Sequence, residues 1–275
     1  MFPLKRLRSQ KVYTAVSPNP PHRPFFRVLG FPVHVVSMSQ VVEQMEDWIV
    51  RKEGHRVVAV TNVHVIMEAL QDLSYKKAVE GADLVVPDGM PLVWLGRLQG
   101  HSIPHRIYGP ELLLAFCETT SRKTYTHFFY GGAPGVADEM VAHLKNSLAE
   151  LRVVGTYSPP FRSLTPEEDM EVIRMINQAA PSVLWVGLGC PKQERWMHDH
   201  RNRLNVPLML GVGQAFDLIS GRTRQAPRFM RDHGFEWLFR LCREPRRLWR
   251  RYLIYNTQFL YSILLEATHL KRFTS

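Results

Sequence analysis

The stretch SVLWVGLGCPKQE, residues 182–194, decides the fold. It opens with a short apolar run lacking strict alternation, turns through two glycines, and passes into polar residues that begin a segment of helical spacing. A run of that length, apolar on every side, fits a β-strand covered on both faces, which is what a parallel sheet requires. Working outward, the same grammar recurs in RVVAVTN (56–62), ADLVVPD (82–88), HFFYGG (127–132), LRVVGTYS (151–158) and PLMLGVG (207–213), each followed by a longer helical pattern. Upstream, FRVLGFPVHVVS (26–37) reads as an extended segment or hairpin, followed by an amphipathic helix around SQVVEQMEDWIVRK (39–52). The prediction is an α/β fold, a mostly parallel sheet with helices on both faces. In such sheets ligands sit beyond the carboxyl ends of the strands. The turns TNVH, PDGMP, GGAPG, YSPPF, GLGCPKQE and GVGQAFD are therefore where chemistry is sought.

Charge divides the chain unevenly. The 275 residues carry a formal +10, with 45% hydrophobic residues and 3 Cys. That length and apolar content support a globular core. Cys117, Cys190 and Cys242 are odd in number and form no CxxC, which favours a reducing cytoplasm over a disulfide framework or zinc site. Residues 1–27 hold six basic groups and no acid, and residues 222–251 hold ten Arg against Asp232, Glu236 and Glu244. The body between them is mildly acidic. Such asymmetry points to a polyanionic partner, nucleic acid or a membrane face.

Residues 1–25 read as a flexible basic arm, and the clearest later boundary falls near 221. YLIYNTQFLYSILL (252–265) is too short to cross a bilayer and is interrupted by Asn256, Thr257 and Gln258, so it suits the surface of a membrane. Pro245 should divide the C-terminal segment into two helices. Its density of Trp, Leu and Tyr among the arginines favours anionic lipid over nucleic acid, with an ordinary packed terminal helix as the other reading.

Asp88 ends a buried run and precedes Gly89, where a carboxylate is either a general base or a cap for the helix near Met90. Gln193, Glu194 and Asp217 are similarly placed, as ligand readers or as first-turn helix residues. GGAPG and GLG are phosphate-cradling turns or merely tight turns. No GxGxxG with a following acid, no GxxxxGK[ST], no metal-spaced histidines and no DxD are present. His198, Asp199 and His200 share no helix face and read as solvated or packed.

GLGCPKQERWM (187–197) and GVGQAFDLISGRTRQAPRFMRDHGFEWLFRLCREPRRLWRRYL (211–253) resemble the signature of the WecG/TagA/CpsF glycosyltransferases, glycosyltransferase family 26. NVHVIMEA (62–69), ADLVVPDGMPLVW (82–94) and RIYGPEL (106–112) follow the family's order, and the similarity spans roughly 26–255. The resemblance implies a Rossmann-like catalytic domain over 26–221 and a helical, membrane-associating appendage over 222–275 that completes the active site. It implies inverting, metal-independent transfer from a UDP-sugar to a polyprenyl-pyrophosphate-linked saccharide at the cytoplasmic face of the membrane, with no cofactor. By the same resemblance Asp88 is the base; Asn62, Thr61, Arg106, Gln193 and Asp217 bind substrate; Arg240, Arg247 and Arg250 neutralise pyrophosphate. Arg243, Arg246 and Arg251 are left for lipid headgroups, and homo-oligomerisation is left open. Two positions depart from the pattern. Val60 stands where the family usually carries Thr, with Thr61 beside Asn62, and Gln225 replaces the Arg of a RAP motif, preceded by Arg224.

Two other functions compete. A nucleic-acid-binding α/β protein would use the Arg-rich end, and a nucleotide-sugar epimerase or dehydrogenase would need the nicotinamide fingerprint that is missing.

Overall fold

The structure, a computed structural model, describes residues 23–52 and 54–273, so most of the basic arm lies outside the described residues. A hairpin, β1 (Phe25–Val28) and β2 (Phe31–His34), leads into α1 (Met38–Arg51), whose start is fixed by a reciprocal capping box between Ser37 and Gln40. The six apolar runs then form β3 (Arg56–Thr61), β4 (Leu84–Pro87), β5 (Thr126–Gly131), β6 (Arg152–Tyr157), β7 (Val183–Gly187) and β8 (Leu208–Gly211). They make one parallel sheet in the order β4-β3-β8-β7-β5-β6.

Helices connect the strands and cover both faces. They are α2 (Val63–Gln71), α3 (Leu73–Glu80), α4 (Met90–Leu98), α5 (Gly109–Thr120), α6 (Val136–Ser147), α7 (Pro166–Ala179), α8 (Lys192–His200) and α9 (Ala215–Ile219). Alternate residues of one strand serve opposite cores. Val183 and Trp185 pack with Phe116 and Phe129 on one face, and Leu184 and Val186 pack with Phe128, Ile176 and Met197 on the other. Burying each such side chain contributes about 1.5–3 kcal/mol, which explains the unbroken apolar run of β7, whereas the edge strand β6 leaves Arg152 and Val154 exposed.

The chain ends in α10 (Arg228–Asp232), α11 (Glu236–Arg243), α12 (Pro245–Trp249), a wide π turn (Arg250–Ile254) and α13 (Tyr255–Ala267). Pro245 opens α12, a position that tolerates the missing N–H, so the predicted division stands. Leu248, Tyr252 and Phe259 bury themselves on the body, Phe259 within the cluster formed by the hairpin and α2. Polar ties add direction. Arg222 forks onto Glu139, Arg231 reaches Glu111 at 2.6 Å, Arg106 reaches Glu236 at 2.6 Å, and Tyr255 donates to Glu68 at 2.8 Å. The arginine-bearing helices are thereby held against the carboxyl ends of the strands.

Candidate active site

The turns after all six strands of the parallel sheet, together with the C-terminal helices, enclose one cleft of about 1470 Å³. Asn62 and Asp88 enter it from β3 and β4, Gly132 and the 159–166 loop from β5 and β6, Gly189 and Gln193 from β7, and Asp217 from β8. Across from them stand Arg240, Arg247, Arg250 and Arg251.

Asp88 does not cap the following helix, because Gly89 holds the N-cap position of α4 without any side-chain bond. The Asp88 amide donates to Thr61 O at 2.8 Å, which fixes its backbone, while Oδ1 is sealed from water and lacks a protein partner. Burial raises this carboxyl to about 7, and Glu236 adds to the rise against the opposing pull of Arg106, the Asn62 side chain and Arg240. A carboxylate tuned to neutral pH is suited to general-base work. Asn62 has two tasks: its Oδ1 caps α2 by accepting from the amides of His64 and Val65, and its amide group borders the cleft beside Asp88.

Gln193 and Glu194 occupy the first turn of α8 and are 5% and 3% exposed. Gln193 Nε2 donates to Glu194 Oε1 at 2.7 Å, and Gln193 Oε1 is buried without a partner. Asp217, in the first turn of α9, is raised by burial, with Arg247 and Arg222 opposing. Its carboxylate faces the arginine side of the cleft, where Arg247 also pairs with Glu244 at 2.6 Å.

The arginine side carries strongly concentrated charge. The Nε atoms of Arg240 and Arg251 are buried without protein acceptors. Burial lowers the Arg251 pKa, and neighbouring Arg240 lowers it further. Beside them His64 stacks on Tyr255 with ring centroids 5.3 Å apart and is held neutral, at about 3, by burial and by Arg251 and Arg240. Both guanidiniums lie over the Tyr252 ring, at 6.0 and 5.8 Å from its centroid, and two cationic groups with unused donors at one cleft are suited to a multiply charged oxyanion.

Of the residues expected to bind substrate, Asn62, Gln193, Asp217, Arg240, Arg247 and Arg250 all line the cleft with Asp88. Two of the expected residues do not. Thr61 is fully buried with its hydroxyl donating to Ala59 O at 3.4 Å, because strand alternation turns Val60 toward the cleft instead. Arg106 stacks over Tyr108 at 4.4 Å and is engaged by Glu236, so it acts on Asp88 through its field from behind the cleft wall. Arg224 and Gln225 both lie off the cleft lining.

Arg251, assigned by sequence to lipid, lines the cleft, and a signal for it existed. Arg247, Arg250, Arg251, Ile254 and Tyr255 recur at helical spacing and form one face. The glycines of GGAPG have a packing role as well. A Cβ on Gly131, at φ +133°, would sit 2.5 Å from the Gly187 carbonyl carbon, so the glycine permits close approach of β5 and β7. His200 is packed and meets Asp169 at 2.7 Å, whereas His198 is exposed. Among the described residues no group of three or more His, Cys, Asp or Glu side chains is arranged to hold a metal.

A two-sided parallel sheet whose strand ends converge on a cleft with a neutral-pH carboxylate and buried arginines defines an α/β protein built for a polar, anionic ligand. The profile of the glycosyl transferase WecG/TagA/CpsF family matches residues 26–273, and the chain belongs to that family. It is 29% identical over 216 residues to the N-acetylglucosaminyldiphosphoundecaprenol N-acetyl-beta-D-mannosaminyltransferase of Bacillus spizizenii, covering 78% of this chain and 82% of that protein. The enzyme of the same name from Bacillus subtilis strain 168 is 24% identical, over 86% of this chain and 90% of the relative. A Staphylococcus aureus counterpart is 26% identical over 89% and 94%. The protein is a glycosyltransferase.

Proposed function

We propose that the protein transfers a hexose or N-acetylhexosamine from a UDP-sugar to a polyprenyl-diphosphate-linked sugar, with inversion and without a metal, during synthesis of a bacterial surface polysaccharide. The observation that carries this reading is Asp88, a carboxylate raised to about 7 with one buried, unpartnered oxygen, set across a cleft from the guanidiniums of Arg240 and Arg251. Asp88 takes the proton of the acceptor hydroxyl as that oxygen attacks the anomeric carbon. The bond from that carbon to the diphosphate oxygen breaks on the opposite face, and the electron pair leaves with the diphosphate. Arginines supply positive charge where negative charge develops on the leaving diphosphate. The acceptor class follows the relatives, whose names specify an undecaprenol-diphosphate N-acetylglucosamine.

In this reading residues 26–221 form the catalytic body and 222–275 a peripheral membrane appendage on the cytoplasmic face. No helix among the described residues is long and apolar enough to cross a membrane. Trp249, Leu253, Leu260, Tyr261 and Leu264 are exposed on the last helices, near exposed Arg243 and Arg246, a combination that favours lying on anionic lipid. The test is radiolabelled transfer from a panel of UDP-sugars to a polyprenyl-diphosphate N-acetylglucosamine, with and without EDTA. Transfer from one donor at an unchanged rate in EDTA is expected. Absence of transfer from every donor, or EDTA inhibition reversed by Mg²⁺, overturns the reading.

A further inference from the structure

Gln193 and Glu194 are neighbours that share one buried polar network beneath the cleft. The two Glu194 carboxylate oxygens have different clients: Oε1 accepts from Gln193 Nε2 at 2.7 Å, and Oε2 accepts from the Tyr75 hydroxyl at 3.1 Å. Tyr75 is fully buried in α3, and its hydroxyl also lies 3.2 Å from Cys190 Sγ. An amide has one donating end and one accepting end. With its NH₂ held by a carboxylate, Gln193 must turn its oxygen the other way.

That oxygen is buried and has no protein partner, although Gln193 lines the cleft. The chain leaves room for this pose. A Cβ on Gly211 would sit 2.9 Å from Gln193 Nε2, and one on Gly213 would sit 3.4 Å from Oε1. A buried acceptor without a partner is costly, and the cost is removed when a ligand donates to it.

We propose that Glu194, braced by Tyr75, is a positioning residue that locks Gln193 as a hydrogen-bond acceptor, so that the bound sugar nucleotide must present a hydroxyl or N–H at that point. This rests on the function proposed above. It makes Gln193 a discriminating contact, since a site built to accept from a donor rejects an analogue lacking it far more strongly than an apolar pocket rejects an extra group.

The experiment is a double-mutant cycle on steady-state sugar transfer by the full chain, with Glu194→Gln, Gln193→Ala and the combined variant, and with Tyr75→Phe beside them. Glu194→Gln frees the amide to flip and is expected to raise donor KM about tenfold, the scale of one hydrogen bond, with kcat nearly unchanged. The combined variant should be no worse than Gln193→Ala alone, because Glu194 acts only through Gln193. Tyr75→Phe should raise donor KM about threefold. A donor KM within about twofold of the parent for Glu194→Gln, or multiplying penalties in the combined variant, overturns the inference. Should Glu194→Gln fail to fold by thermal melt, Tyr75→Phe decides, and a parental donor KM overturns it. A parent inactive with every donor defeats the functional reading instead, whereas an active parent with multiplying penalties defeats only the role of Glu194.

Discussion

The two walls of the cleft are built on different physical terms. The strand-end wall presents Asn62, Asp88 and Gln193 from turns whose strands are buried on both faces, with backbone positions fixed by the sheet. The helical wall presents Arg240, Arg247, Arg250 and Arg251 from a segment anchored by Leu248, Tyr252, Phe259 and a few ion pairs. A proton-transferring group tolerates little displacement, so a rigid turn suits it. Diphosphate charge is recognised over a longer range and tolerates a less deeply anchored element. On the proposed function the difference separates chemistry from charge recognition, and it is open to direct attack.

The largest effect should come from the strand-end wall. Asp88→Asn is expected to lower kcat by about 10²–10⁴ while UDP binding, measured by calorimetry, changes little. Burial raises the Asp88 carboxyl to about 7, so a base at this position would be protonated and unable to accept a proton below that pH. In the parent, kcat/KM should therefore fall about tenfold per pH unit as pH drops below about 7, a limb absent from the variant's residual rate. Loss of UDP binding in the variant would dissolve the distinction between the walls.

An intermediate effect belongs to the helical wall. Arg251→Gln removes a buried cation and should weaken UDP binding about 10- to 100-fold, whereas exposed Arg243→Gln should stay within about twofold. Equal effects would place Arg251 outside the cleft chemistry. The smallest effect on the body should follow Phe259→Ala, which costs about 3–5 kcal/mol of packing at most and acts on the anchor of α13. Hydrogen exchange should accelerate in α12 and α13 and leave β3 to β8 protected. Uniform acceleration would mean that the two walls unfold as one unit.

Much of the fold is legible because the parallel sheet writes itself into short, mainly apolar runs without strict alternation. All six runs became strands, the segment around residues 26–37 became a hairpin, and Pro245 divided the last helices. Asp88, Gln193 and Asp217 are legible from turn position, Asn62 and the three arginines from the family resemblance, and all seven line one cleft. Thr61 lies off the cleft lining because adjacent strand residues face opposite sides, and a motif does not reveal which parity faces the cleft. Arg106 lies off the cleft lining, held by Glu236, a partner 130 residues away that local sequence does not reveal. The Tyr75, Cys190 and Glu194 network was invisible for the same reason, joining α3 to the start of α8 across 119 positions.

The sequence by itself determined the covered parallel sheet, the turns that carry chemistry and the arginine-rich end, because burial pattern and charge are local properties of the chain. Only the tertiary structure decided that Asp88 is raised to about 7, that Arg251 turns inward, and that the Gln193 oxygen stands unpaired. Those are properties of desolvation and of partners distant in sequence. They exist only once the helical segment closes over the strand ends.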